Sequence, residues 1–180
     1  MTGNERNLSA AKKTAFCASA LAASLLLGYV EALIPFSVGI PGVKLGLGNV
    51  MTLLLLWLFG AGWAAAVSLG RVLLSALLFG SVPSLLFSAF GAALSLLIMV
   101  LLKKTGIFSP VGVSAAGGVG HNIGQLAAAA LTIGGKSGGA VFSFLPLLSL
   151  SGLVFGTVIG LITALVIDRI ESAGIRTPEI

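Results

Sequence analysis

The chain has 180 residues, 57% hydrophobic and only 8% charged, with a mean hydropathy of +1.14. Ten basic and five acidic side chains cannot clothe a water-soluble core of this size, and the apolar segments lack the period-two alternation of a membrane-spanning strand. That excludes a soluble domain and an outer-membrane barrel and leaves an all-α integral membrane protein, in which the net charge of +5 marks topology rather than nucleic-acid binding.

In chain order, residues 1 to 11 are polar, and a first span is expected over about 13–33. Ala11, Ala15, Ser19 and Ala23 recur every four residues in it, a small-residue face of the kind that lets another helix approach closely. Ala15, Ser19 and Ala23 are therefore the candidate partner-docking residues, with packing inside the protein as the plainer alternative. The basic flank is not followed by a cleavage site before Gly28-Tyr29-Val30-Glu31, so the span is expected to be retained. Cys17 is the sole cysteine and sits in this apolar segment, where packing accounts for it.

Pro35, Gly39, Pro41 and Gly42 then break the helix. A short second span, about 45–59, is entered through Pro41-Gly42-Val43-Lys44-Leu45-Gly46-Leu47-Gly48-Asn49, glycine-rich enough to predict close backbone approach to a helix or a ligand. Further spans are expected at about 63–79, 84–102, 112–133 and 144–167. The last carries Gly152, Gly156 and Gly160 at close-packing spacing. Six spans place both termini on one side. Seven basic residues fall there (Arg6, Lys12, Lys13, Lys103, Lys104, Arg169 and Arg176) against Lys44 and Lys136 opposite, which predicts cytoplasmic termini in the cell membrane. No internal boundary divides this single six-helix bundle.

Polar residues inside apolar spans need a reason, since a charge at the bilayer centre costs roughly 2.5–3.5 kcal/mol on insertion scales. Arg71 lies mid-span and cannot lose its proton. It either pairs with Glu31 or helix-end carbonyls, or binds a carboxylate, phosphate or enolate. The fifth span reads Gly112-Val113-Ser114-Ala115-Ala116-Gly117-Gly118-Val119-Gly120-His121-Asn122-Ile123-Gly124-Gln125. His121 and Gln125 share a helix face with Asn122 close by, while Ala116, Gly120 and Gly124 make a stripe without bulk. Three hydrogen-bonding side chains in five residues of an apolar span have to meet each other, another helix or a polar ligand, and a ligand or transport role is the favoured expectation. Glu31, Lys44, Asn49, Arg71, His121, Asn122 and Gln125 are the candidate ligand-binding set.

Several chemistries are excluded. The only aspartate is Asp168, near the C-terminus, so the clustered carboxylates of magnesium-dependent prenyl or phosphoryl transfer are missing. One histidine and one cysteine on separate spans are not a zinc set. Ser114 and His121 are seven apart on one helix with no orienting acid, and no phosphate-binding loop occurs. No catalytic constellation emerges.

The Pro41–Asn49 segment, the span around Arg71 and the run from Gly112 to Gln125 resemble the Gx transporter family, also labelled heptaprenyl diphosphate synthase component I, and the similarity covers nearly the whole chain. More remotely that family is similar to the S components of energy-coupling-factor vitamin transporters. These have six helices, take substrate from the outer side, and dock through a small-residue face on the first helix onto a transmembrane subunit with two ATPases. The resemblance implies a substrate-binding membrane subunit for a small anionic or aromatic molecule. Its alternatives are an accessory subunit in polyprenyl diphosphate or quinone metabolism, and a transmembrane electron-transfer protein with a noncovalent flavin or quinone.

Overall fold

The computed structural model describes residues 10–33, 46–79, 82–133 and 139–172. Among them are six α-helices and no strand: α1 (Ala10–Leu33), α2 (Asn49–Phe59), α3 (Ala61–Phe79), α4 (Val82–Lys104), α5 (Pro110–Ile133) and α6 (Leu145–Ser172), the last preceded by a 3-10 turn at Val141–Phe144. The expected helices are all present, with shifted ends. Pro110 opens α5, where its missing N–H leaves no hydrogen bond unmade. α2 starts at Asn49 rather than near residue 45. The chain turns first, with Gly46 at φ +74° and its carbonyl accepting from the Asn49 amide at 2.8 Å.

Four of the six, α1, α3, α4 and the α6 segment, are long and apolar enough to cross a membrane. α2 is apolar but has 11 residues, about 16 Å of helix, against a hydrocarbon core of about 30 Å. α5 has the length, at 24 residues, but five glycines with His121, Asn122 and Gln125 dilute its hydropathy. These two are also the enclosed helices. α2 is buried all round, with Leu53, Leu55 and Leu56 at most 2% exposed. The exposed large apolar side chains lie mainly on the other four, among them Leu26, Leu77, Leu97 and Leu165, and none is on α2.

Glycine sets the spacing around α5. On one side it runs antiparallel to α6. A Cβ at Gly152 would lie 2.5 Å from the Gly118 carbonyl oxygen, one at Gly156 2.6 Å from that of Ser114, and one at Gly160 2.6 Å from the Val111 Cα. The anticipated Gly152, Gly156, Gly160 stripe is thus a backbone-to-backbone seam. On the other side α5 meets α4 through Gly117, Gly120 and Gly124, against Met99, Ile98 and the Phe90 carbonyl. The seam runs through Gly117 rather than Ala116, which is half-buried.

α1, α2 and α3 complete the bundle, α2 resting on α6 and α3 on α4. The N-terminal half of α1 meets the C-terminus of α2 where Phe16 and Phe59 stack edge to face, centroids 5.4 Å apart. At this end Lys103 also donates to the Leu56 carbonyl at 2.8 Å, with its ammonium 5.1 Å from the Trp57 ring centroid. A carbonyl left open at the end of α2 is thereby capped by a cation. Lys12, Lys13, Lys103, Lys104 and Arg169 gather at this one end of the bundle.

Candidate functional site

The Gly46–Gly48 turn puts the N-terminus of α2 well inside the bundle. Gly48 has no Cβ, and one built there would lie 3.1 Å from the Ser24 carbonyl oxygen and 3.2 Å from both Cδ and Nη1 of Arg71. That space admits the Arg71 side chain from α3, whose Nη2 donates to Asn49 Oδ1 at 2.7 Å. A charge-assisted bond of this length, partly buried, holds the guanidinium against the first residue of α2. From α1, Ser24, fully buried, donates to the Gly48 carbonyl at 2.9 Å. Thr52, one helical turn on from Gly48, is 2% exposed and its Oγ1 has no hydrogen-bond partner among the described residues.

Beyond Asn49 lies a polar cavity of about 30 Å³ between α2, α4, α5 and α6. Asn49, Ser95, Ser114, His121 and Asn122 line it with Gly46, Gly118 and Gly152, and Leu53, Met99, Phe155 and Ile159 are its apolar walls. It has room for one or two water-sized groups, far below the roughly 300–1,000 Å³ of a pocket for a whole small molecule. Asn122 is fixed from α6: its Nδ2 donates to the Leu148 carbonyl and lies 3.3 Å from Ser151 Oγ.

The structure therefore brings Asn49, Arg71, His121 and Asn122 into one neighbourhood. Gln125 stands apart from the cavity lining. It packs with His121 on Gly91 of α4, where a Cβ would lie 2.9 Å from Gln125 Cγ and from His121 Cε1. Lys44 lies outside the described residues, as does the side chain of Glu31, whose backbone is in the last turn of α1. On α1, Ala15 and Ser19 are exposed and Ala23 half-buried, while Cys17, Ala20 and Ser24 face the core. Ser114 and His121 both line the cavity but stand about 10 Å apart along α5, too far for the hydrogen bond a nucleophile and base share.

Ser24, Gly91 and Ser95 were not singled out from sequence. A serine in a helix commonly bonds its own backbone, so a lone serine in an apolar run gives almost no signal. The stronger cue was the exception to bulk in each helix, since Gly48 and Gly91 each make room for a polar side chain from a neighbour.

No curated protein and no solved structure matches the chain. The family model described as heptaprenyl diphosphate synthase component I matches residues 20–166, a stretch that includes every residue lining the cavity and the Arg71–Asn49 pair. The chain belongs to the heptaprenyl diphosphate synthase component I family.

Proposed function

We propose that this is an integral protein of the cytoplasmic membrane, with both termini in the cytoplasm, that binds a small anionic or aromatic molecule from the outer side and serves as the binding subunit of a larger assembly rather than as its catalyst. Four membrane-length helices and their outward leucines, Leu77 at 82% exposed and Leu165 at 67%, support the membrane setting. The basic residues gathered at one end support the orientation. The observation that carries the binding reading is the Arg71–Asn49 pair, a permanent cation fixed beside a polar cavity inside an apolar bundle. Arginine offers five donors in a rigid fork, a geometry that matches the oxygens of an anion.

The S-component-like form of this reading adds a transmembrane coupling subunit with ATPases docked on α1. Its support is the uncovered face carrying Ala15 and Ser19, with Ala23 at its edge. A second reading, an accessory subunit in polyprenyl diphosphate or quinone metabolism, is favoured by the family description, whose wording as one component of a synthase fits a subunit role.

Mass spectrometry of the protein purified from membranes tests the reading, comparing wild type with Arg71→Ala and His121→Ala. A vitamin-like anion lost in both folded variants supports the uptake form, a prenyl diphosphate supports the second reading, and a flavin or quinone points to electron transfer. A ligand retained undiminished in both variants overturns the site.

A further inference from the structure

The loop between α4 and α5 is built to hold two apolar side chains away from the bundle. Every residue from Lys104 to Ser109 is exposed, yet the backbone is fixed at both ends. Gly106, at φ +69°, turns the chain out of α4, and its amide donates to the Lys103 carbonyl at 3.1 Å. Thr105 Oγ1 donates to the Leu102 carbonyl at 2.7 Å and accepts from the Ile107 amide at 3.4 Å. Ser109 caps α5, its carbonyl accepting from the Val113 amide at 3.0 Å and its Oγ from the Gly112 amide at 3.4 Å. The residue after a helix-ending glycine commonly folds an apolar side chain back over the last turn. Ile107 does not, at 80% exposed. Phe108 meets α5 at Gly112, where a Cβ would lie 3.5 Å from its Cδ1, and is still 45% exposed.

The depth of this loop follows from α4. Its exposed face is a stripe of Leu86, Phe90, Leu97 and Leu101, and the next position on that face is Lys104, also exposed. A lysine ending a lipid-facing stripe carries its ammonium at headgroup level. Three residues of chain reach at most about 10 Å, so Ile107 stays close to that layer. Among the described residues, this end of the bundle carries Lys12, Lys13, Lys103, Lys104 and Arg169 against the carboxylates Asp168 and Glu171, an excess that complements an anionic leaflet. A protein partner fits less well. Two side chains offer on the order of 300 Å², well short of the roughly 1,200–2,000 Å² of a stable interface, but enough for an interfacial anchor.

We propose that Ile107 and Phe108 insert among anionic lipid headgroups, with Lys104 beside them on the phosphates, so that the α4–α5 loop anchors the start of α5 to the membrane surface. This rests on the membrane setting proposed above and is independent of what the cavity binds. Charge draws the loop to the surface, and the two apolar side chains hold it there.

The test uses the full chain in nanodiscs of phosphatidylcholine alone or mixed with phosphatidylglycerol. A nitroxide label is placed through Ile107→Cys in a Cys17→Ala background, and its collisions with oxygen, which enters lipid, are compared with those of a neutral nickel chelate, which stays in water. In the mixed discs oxygen should dominate. In phosphatidylcholine alone, or with Lys104→Gln added, the balance should shift toward the chelate. As a check free of the label, the wild type should melt at a higher temperature in mixed than in neutral discs, and Ile107→Ser/Phe108→Ser, at exposed positions that leave the core untouched, should abolish that difference. A label open to the chelate in both discs, or a melting difference that survives the double variant, overturns the anchor. A label shielded only in native membrane vesicles would mean that a protein covers the loop, and overturns it as well. Failure of the wild type to enter nanodiscs overturns the membrane setting and the anchor with it, and is told apart because no labelled particle forms.

Discussion

Arg71 Nη2 donates to Asn49 Oδ1 at 2.7 Å, tying the middle of α3 to the first residue of α2. The pair fixes where the cation points, and it does so with a neutral partner. The amide oxygen of Asn49 orients the guanidinium through a charge-assisted hydrogen bond without adding a counter-charge of its own.

This relationship separates charge from geometry. Arg71→Lys keeps the charge and loses the planar fork, so affinity for inorganic diphosphate should fall about tenfold, while Arg71→Ala should lose about a hundredfold or more. Asn49→Ala keeps the arginine but removes one bond that orients it, with an expected loss near that of the lysine variant. Titration calorimetry on the three variants and the Arg71→Ala/Asn49→Ala double variant gives the coupling. Strict additivity would show that the two residues act independently.

The α5–α6 seam makes a stability prediction with its own control. Gly152→Ala would press a Cβ into the Gly118 carbonyl oxygen, 2.5 Å away, and neither backbone can yield alone. Overpacking of this kind costs about 1–3 kcal/mol, so the thermal midpoint of the detergent-solubilised protein should drop by several degrees. Gly62→Ala, in the first turn of α3 with nothing within 4 Å of its Cβ, should be neutral or stabilise by up to about 1 kcal/mol. Equal behaviour of the two would contradict the seam.

Gly91 predicts a change in binding with little change in stability. A Cβ there would lie 2.9 Å from His121 Cε1 and Gln125 Cγ and 3.0 Å from His121 Nδ1. All three are side-chain atoms that can swing away, so Gly91→Ala should keep the fold while turning the His121 ring from its present place at the cavity wall. Ligand affinity should fall several-fold with the unfolding midpoint held within a few degrees.

The helices were legible in the sequence because apolarity over 18 or more residues permits little else, and α1, α3, α4 and α6 followed from composition alone. The glycine stripe at 152, 156 and 160 was legible for a similar reason, since its spacing matters whichever helix lies opposite. What could not be read is which helix that is. Arg71 and Asn49 were both conspicuous as polar residues in apolar surroundings, yet their bond depends on α2 starting at Asn49 after a positive-φ glycine and on α3 presenting its middle there. Ser95 carried no signal because its significance comes from Ser114 and Asn122 across the cavity, a product of helix rotation that a linear pattern does not encode.

Thr52 supplies the last prediction. Its hydroxyl is buried at 2% exposure without a partner among the described residues, and the Gly48 carbonyl one turn back, the usual acceptor, takes the Ser24 hydroxyl instead. A buried hydroxyl in that state costs about 1–3 kcal/mol, and valine has nearly the same shape without it. Thr52→Val should therefore raise the unfolding midpoint of the ligand-free protein, whereas Ser24→Val, which strips the Gly48 carbonyl of its donor, should lower it. The contrast is sharpened by adding ligand. If Thr52 serves only packing, Thr52→Val stays more stable than wild type when the site is filled. A stabilisation that disappears on ligand binding would mean that the hydroxyl finds its partner there, one turn along α2 from Gly48, and would extend the Arg71 site deeper between α1, α2 and α3.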